Sequence, residues 1–321
     1  MLKYLLAHRR VALGIVAALI IGGALQVTNT NPAVSQSQFL NAYESPDDPG
    51  LEPDAAVWSK VAGIRVPLSA QAGTYPAGGS VQEVKLQAVH HNDRLFVRVE
   101  WVDATQDDAT VRVQDFSDAV ALEFPAGGKS SVPSICMGQA DAAVNIWHWR
   151  ADSNAGVQDP ADFYTSASVD GYPFKSDLFY TARAAGNPFA NPEVGAVQSL
   201  SARAFGQLAA LDVQDVNGFG VHEGDHWAVV FSRDFNTANT GHAAFAASTT
   251  TDMAVAVWDG SKGERNGQKA ISQFVRLNIG AAPAFESGGT NTTAILIAVG
   301  LFIGVTGVGV GFAAYGYREK K

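Results

Sequence analysis

The sequence predicts a mainly β fold, a β-sandwich with one transmembrane helix at each end. Three observations carry that expectation: long apolar runs confined to the termini, period-two alternation in the internal segments, and no long amphipathic helical pattern between them. The 321-residue chain is 47% hydrophobic and 17% charged, which excludes disordered and collagen-like classes. About 260 residues lie between the terminal runs, enough for one large β domain with a core of its own.

The termini come first. Residues 11–27 (VALGIVAALIIGGALQV) form an uncharged run of about 17 residues, the short limit for a spanning helix. Lys3, Arg9 and Arg10 precede it. A second uncharged run of about 22 residues, 294–315, closes on Arg318, Lys320 and Lys321. Positive charge on both outer flanks places both termini in the cytoplasm and the middle domain outside. A cleaved signal peptide is the other reading of the first run. In the second run Gly300, Gly304, Gly307 and Gly311 form two GxxxG pairs in phase, a face on which another transmembrane helix can pack. The expected organisation is a cytoplasmic N-terminus at 1–10, a transmembrane helix at 11–27, and a polar, Pro-containing linker at 28–57. An extracytoplasmic domain at 58–289, a transmembrane helix at 290–316 and a cytoplasmic tail at 317–321 follow.

The middle domain reads as strands. LFVRVEW puts Leu95, Val97, Val99 and Trp101 on one face and Phe96, Arg98 and Glu100 on the other. DAVALEFP, VNIWHW, HWAVVFSR and MAVAVWDG alternate likewise, each bounded by turn residues. Residues 159–185 and 193–207 are the stretches left open to helix.

Charge and cysteine usage exclude several functions. A net charge of −9 without a basic stripe argues against nucleic acid. Cys136 is the only cysteine, so the chain has no internal disulfide, no C-x-x-C-H haem attachment and no cysteine-held iron–sulfur cluster.

Hydrolase, zinc-protease, phosphate-loop and dinucleotide-binding motifs are absent from the sequence. His222 and His226 straddle a Gly-Asp turn, a weak zinc pair, and His90 and His91 precede a turn where polar residues belong. Met253 opens an alternating strand and reads as core. Met137 sits in an irregular loop, PSICMGQ. A thioether there either fills a packing gap or serves as an axial haem ligand.

Read in order, LQAVHHNDRLFVRVEWVDAT, DAVALEFP, CMGQADAAVNIWHWRAD, GFGVHEGDHWAVVFSRDF and AVAVWDGSKGERNGQKAIS resemble the ethylbenzene dehydrogenase haem-binding domain family. These are γ subunits of periplasmic molybdenum enzymes in the dimethyl sulfoxide reductase superfamily. The resemblance spans residues 58–279 and rests on M-G-x(n)-V-N-x-W-x-W and on A-V-W-x-G…E-R-x-G-x-K-x-x-S, in that order. It implies a β-sandwich holding one non-covalent haem b, with Met137 as an iron ligand and Ile135, Gly138 and Trp147 around the cofactor. The family's second ligand is a Lys at the start of the A-V-W strand, and that position aligns with Asp252, a poor ligand for a low-spin electron-transfer haem. The loop at 236–251 falls at the same end of the sandwich and carries His242. His242 is therefore the expected second ligand, with His222 and Lys175 as alternatives.

The resemblance implies a b-type cytochrome that catalyses no substrate chemistry. It would relay electrons between a molybdenum/iron–sulfur oxidoreductase and the respiratory chain. Its partners would be a molybdopterin catalytic subunit, an iron–sulfur subunit and membrane lipid. A reading from another class is a haem-free, membrane-anchored β-sandwich that binds a ligand or a surface partner. Either way the expected location is the cell membrane, doubly anchored, with the domain on the extracytoplasmic side.

Overall fold

Alternation decides which face of each strand is buried. In the strand Arg94–Val102, Leu95, Val97, Val99 and Trp101 are at most 2% exposed and point one way, as the sequence requires. The computed structural model describes residues 39–71, 73–110, 112–128, 137–154, 195–237 and 239–280. The chain divides into two compact units, Met1–Gly280 and Ala281–Lys321, and all the described residues belong to the first. Both expected membrane spans and the glycine pairs at 300–311 lie outside those residues. Among the described residues no helix is long and apolar enough to cross a membrane.

The strands, in chain order, are β1 (Phe39–Glu44), β2 (Ile64–Pro67), β3 (Ser69–Ala70), β4 (Glu83–His91), β5 (Arg94–Val102), β6 (Ala119–Pro125) and β7 (Val144–Arg150). They continue as β8 (Val197–Ala202), β9 (Leu208–Ala210), β10 (Asn217–Glu223), β11 (His226–Asp234), β12 (Thr250–Trp258), β13 (Ala270–Ile271) and β14 (Val275–Ile279). One sheet runs β10-β11-β5-β4-β1-β14-β12, with β2 also on β4. The other runs β12-β6-β7-β8-β9, with β13 and β3 added beyond β12. β12 belongs to both. Its Thr250–Met253 half pairs with β14, and its Ala254–Trp258 half pairs with β6. A strand that changes sheets makes the corner of a sandwich.

The inward faces share one core. Met253, expected as core, is wholly buried there beside Leu122, Val257 and Leu277. Trp101, Trp149 and Trp227 meet with ring centroids 5.2–6.4 Å apart. Each such aromatic contact adds about 1 kcal/mol beyond its burial.

Two boundary expectations change. The stretch at 28–57 is no linker over its described part, because β1 lies inside the first sheet, parallel to both β4 and β14, with Leu40 and Ala42 fully buried. Residues beyond it, including Leu51 and Ala55, pack with Trp58 on Phe96 and Val230 on the outer face of that sheet. The stretch at 193–207, left open to helix, contains β8. Both strands are too short, among turn residues, for their alternation to stand out.

Candidate functional site

The second sheet has two apolar faces, and only one of them meets the sandwich core. Val120, Leu122 and Phe124 of β6 and Trp147 and Trp149 of β7 point inward. The alternate residues, Ala119, Ala121 and Glu123 on β6 with Ile146, His148 and Arg150 on β7, line a cavity of about 660 Å³ on the outer face. Leu200 of β8 and Ala254, Ala256 and Trp258 of β12 extend its floor. That volume lies within the range of small-molecule and cofactor sites. The ladder places Ala256 opposite Ala121 and Ala121 opposite His148. The four alanines on β6 and β12 keep that part of the floor low, while Glu123, Ile146, His148 and Arg150 project beside them.

Met137 borders this cavity and packs against the apolar cluster that Ala121, Val144, Ile146, Leu200, Ala202 and Trp258 form with Ala119. Its backbone is left-handed (φ +73°), an uncommon state for a residue with a Cβ and one that concentrates at functional sites. Gly138 follows at φ +77°, and a Cβ there would lie 2.8 Å from the Ala202 carbonyl oxygen. Only glycine lets this turn sit so close to the β7–β8 ladder. Gln139 and Ala142 then exchange two backbone hydrogen bonds of 3.0 Å, which lead the chain into β7.

The E-R-N-G-Q-K-A-I-S stretch borders the cavity from the other side of the floor, where β13 adjoins β12. Glu264 anchors it: Oε1 accepts from the Gly79 and Ser80 amides (2.7 and 2.9 Å) and Oε2 from the Asp259 amide (3.1 Å). The Trp258 indole donates to the Asn266 carbonyl at 3.1 Å. A Cβ on Gly267 would lie 2.6 Å from Thr74 Cγ2. Ser272 Oγ accepts from the Val255 amide at 2.9 Å. So held, Lys269 is 8% exposed, and its Nζ stands 4.9 Å from the centroid of Trp258. That is a cation–π contact when the amine is charged.

The floor carries two titratable groups with displaced equilibria. Burial pushes the Glu123 carboxyl up to about 8, against the opposing pull of Lys269, and its Oε1 is buried without a hydrogen-bond partner. Burial drives His148 down to about 3, with Arg150 and Lys269 acting the same way, so its ring stays neutral. Both shifts follow from low local dielectric. Apart from Lys269, the cationic groups on the lining are Arg150 and Arg265.

The expected site residues separate. Met137 lines the cavity and Gly138 shapes its turn. Ile135 and Lys175 lie outside the described residues. Trp147 faces the other way: it is fully buried in the sandwich core, 4.7 Å from the Phe124 ring and 5.7 Å from Phe245. Its neighbours Ile146 and His148 face the cavity instead. His242 does not line the cavity that Met137 borders. It is 2% exposed, and its Nδ1 stands 3.2 Å from Asp215. Burial lowers its proton affinity, only partly opposed by Asp215.

Residues 242–243 sit at the inward side of β7, where the Ala243 amide donates to Asn145 Oδ1 at 3.2 Å. That oxygen also accepts from Trp147 Nε1 and Arg233. The Arg233 guanidinium lies between Trp147 and Phe245, 5.1 and 4.6 Å from their rings, and donates to the Ala243 carbonyl. The V-N-x-W-x-W motif therefore builds a buried polar hub. Asp252, aligned with the family's Lys, pairs with Arg276 (3.6 Å) in the half of β12 that belongs to the first sheet. His222 contacts the Asp103 carbonyl (2.9 Å), His226 pairs with Asp225, and His91 contacts the Ser45 carbonyl (2.9 Å). Lys269 shares the cavity lining with Met137, and it stands inside a motif that carried the resemblance.

The β-sandwich thus carries a largely apolar cavity on an outer face, bordered by a thioether and an amine. The ethylbenzene dehydrogenase family matches residues 55–270, and the chain belongs to that family, among its γ subunits rather than its catalytic chains. Its relatives include a putative respiratory nitrate reductase heme subunit of Haloferax mediterranei, 27% identical over 274 residues (84% of each chain). The chlorate reductase subunit gamma of Ideonella dechloratans is 28% identical over 272 residues, 84% of this chain and 95% of that one. The dimethylsulfide dehydrogenase subunit gamma of Rhodovulum sulfidophilum is 28% identical over 250 residues, 73% of this chain and 77% of that one.

Proposed function

We propose that this chain is the haem b subunit of a molybdenum oxidoreductase complex, in which Met137 and Lys269 would hold the iron of one non-covalent haem. The observation that carries the reading is that a thioether and an amine border one cavity from opposite sides of an alanine floor. The residues fit the group. A porphyrin needs a broad apolar slot, two axial donors and cationic groups for its carboxylates, and the lining offers each, the last through Arg150 and Arg265. When bound, haem supplies a one-electron carrier whose potential is set by its ligands and by burial.

The protein's own part is to orient and exclude. The left-handed turn at Met137 holds the sulfur at the cavity edge. The Glu264 anchors and the Trp258–Asn266 bond hold the segment that bears Lys269. Ligation uses the neutral amine, so proton competition weakens loading as pH falls. The relatives' names, a nitrate reductase heme subunit and the gamma subunits of a chlorate reductase and a dimethylsulfide dehydrogenase, support a place in a multi-subunit oxidoreductase. In this reading its partners are a molybdopterin catalytic subunit and an iron–sulfur subunit, with electrons passing through this chain and substrate chemistry left to another. The terminal apolar runs support anchoring of the domain on the outer side of the cell membrane, and the spacing of Gly300, Gly304, Gly307 and Gly311 supports packing with another transmembrane helix.

Visible spectroscopy of the purified full-length chain tests the proposal. A sharp Soret band with split α and β bands on reduction is expected. Met137→Ala and Lys269→Ala should each abolish the low-spin spectrum, while circular dichroism stays β-rich. Absence of haem from wild-type protein reconstituted with hemin would replace this reading with the haem-free binding module. An unchanged Lys269→Ala spectrum accompanied by loss in His148→Ala would transfer the second ligand to the floor. Protease added to intact cells should digest the domain and spare both tails, and a mature chain beginning after Gln26 would leave only the C-terminal anchor.

A further inference from the structure

We propose that Asp103, Asp118 and Asp259 form a binding site for a hard divalent cation of the calcium class, which clasps the two sheets at one edge of the sandwich. The three residues are far apart in sequence and each ends or begins a strand. Asp103 follows β5 of the first sheet, Asp118 precedes β6, and Asp259 follows β12 of the second. All three are buried, and one carboxylate oxygen of each lies within 4.8 Å of those of the others. Only oxygen donors face one another here, which selects a hard cation over a thiophilic or imidazole-seeking one.

Hydrogen bonding orients the group and leaves it unfinished. Asp118 is fully buried. Its Oδ1 accepts from the Gly260 amide (2.8 Å), and its Oδ2 from the Asp107 amide (2.7 Å) and Trp227 Nε1 (2.9 Å). Asp259 Oδ1 accepts from Ser261 Oγ (2.7 Å) and the Lys262 amide (3.3 Å). Asp103 Oδ1 takes both donors of Thr105 at 3.1 Å.

The point that turns a cluster into a site is the other oxygen of Asp103. This residue is 5% exposed, and its Oδ2 is buried with no hydrogen-bond partner. The Trp101 indole N–H faces this carboxylate and favours its ionised form, yet it stands outside ordinary hydrogen-bond geometry. Outside the triad, Asp107 Oδ2 beside Asp118 is likewise buried and unpartnered. A buried carboxylate oxygen without a donor is costly unless a proton or a metal meets it. Among the described residues no lysine or arginine pairs with any member of the triad. Burial raises Asp103, with Asp259 adding to it, and raises Asp118 to about 7, with Asp103 adding to it. Packed like charges with donors that favour their ionised forms are the setting in which a divalent cation binds tightly.

Terbium luminescence on the purified full-length protein tests this, because Trp227 donates directly to Asp118 and can sensitise a lanthanide held there. Tryptophan excitation should yield saturable terbium emission that calcium competes away. Chelator-treated protein should melt at a lower temperature and recover with calcium but not with sodium. Asp259→Asn should weaken the apparent affinity about tenfold or more. Asp234→Asn, at an exposed position paired with Arg94, should leave it unchanged. The wild-type measurements decide the matter if the Asp259 variant does not fold. Absence of sensitised emission, with a melting temperature indifferent to chelator and calcium, would overturn the proposal and leave the carboxylates held by shared protons.

Discussion

Ala121 of β6 and Ala256 of β12 stand directly opposite each other on the outer face of the second sheet, and both line the cavity. Cross-strand neighbours on one face lie about 5 Å apart, so their methyl groups form a continuous low surface. Replacing Ala121 with Leu raises a branched side chain from that floor. The expected outcome is loss of haem uptake with the stability of the haem-free chain changed by less than about 1 kcal/mol, since the new side chain enters open space. Hemin titration followed at the Soret band, beside a urea melt, checks both halves.

His242 gives the opposite signature. Its ring is buried near Asp215 and Arg233, away from the cavity. His242→Ala should leave the haem spectrum and potential unchanged while lowering stability by about 1–3 kcal/mol, the range for removing a buried polar group. A shift to a high-spin spectrum would restore His242 as a ligand and displace Lys269.

Arg233 is the centre of the inward network. Burial lowers its proton affinity to about 10, so the guanidinium stays charged at neutral pH. Arg233→Ala leaves the Ala243 carbonyl and Asn145 Oδ1 without this donor and opens a gap between Trp147 and Phe245. Destabilisation of about 3–5 kcal/mol is expected, as when one partner of a buried charged network is removed. Equilibrium denaturation followed by tryptophan fluorescence measures it.

Glu123 makes stability depend on pH. Its folded-state value of about 8 lies above the ordinary carboxyl value of 4.5. Between these values the unfolded chain releases the proton that the folded chain retains, so stability falls as pH rises through this window. Glu123→Gln should remove its share of that slope and leave the haem-free protein more stable near pH 8. Melting temperatures of haem-free wild type and variant, taken from about pH 5 to 8, make the comparison. Parallel curves would mean that Glu123 is ionised in the folded state.

What the sequence determined by itself is local. Alternation along β5, β6, β7, β11 and β12 sets a β class and the two faces of each strand, because the pleat repeats every two residues whatever the strand packs against. Met137 stood out only through the motif that carried the resemblance, since a thioether on such a loop fills packing gaps as readily, and the structure sets it at the cavity edge. Tertiary structure decided the rest. β7 presents Trp147 and Trp149 on one face and Ile146 and His148 on the other, so periodicity could not say which face met the core and which the cavity. β1 became an inner strand only because β4 and β14 arrived on either side of it. Lys269, and the carboxylates of Asp103, Asp118 and Asp259, acquire meaning only where the fold closes loops of many residues. Their proximity is set by strand order and by the corner in β12, and neither leaves a mark on the residues nearby in sequence.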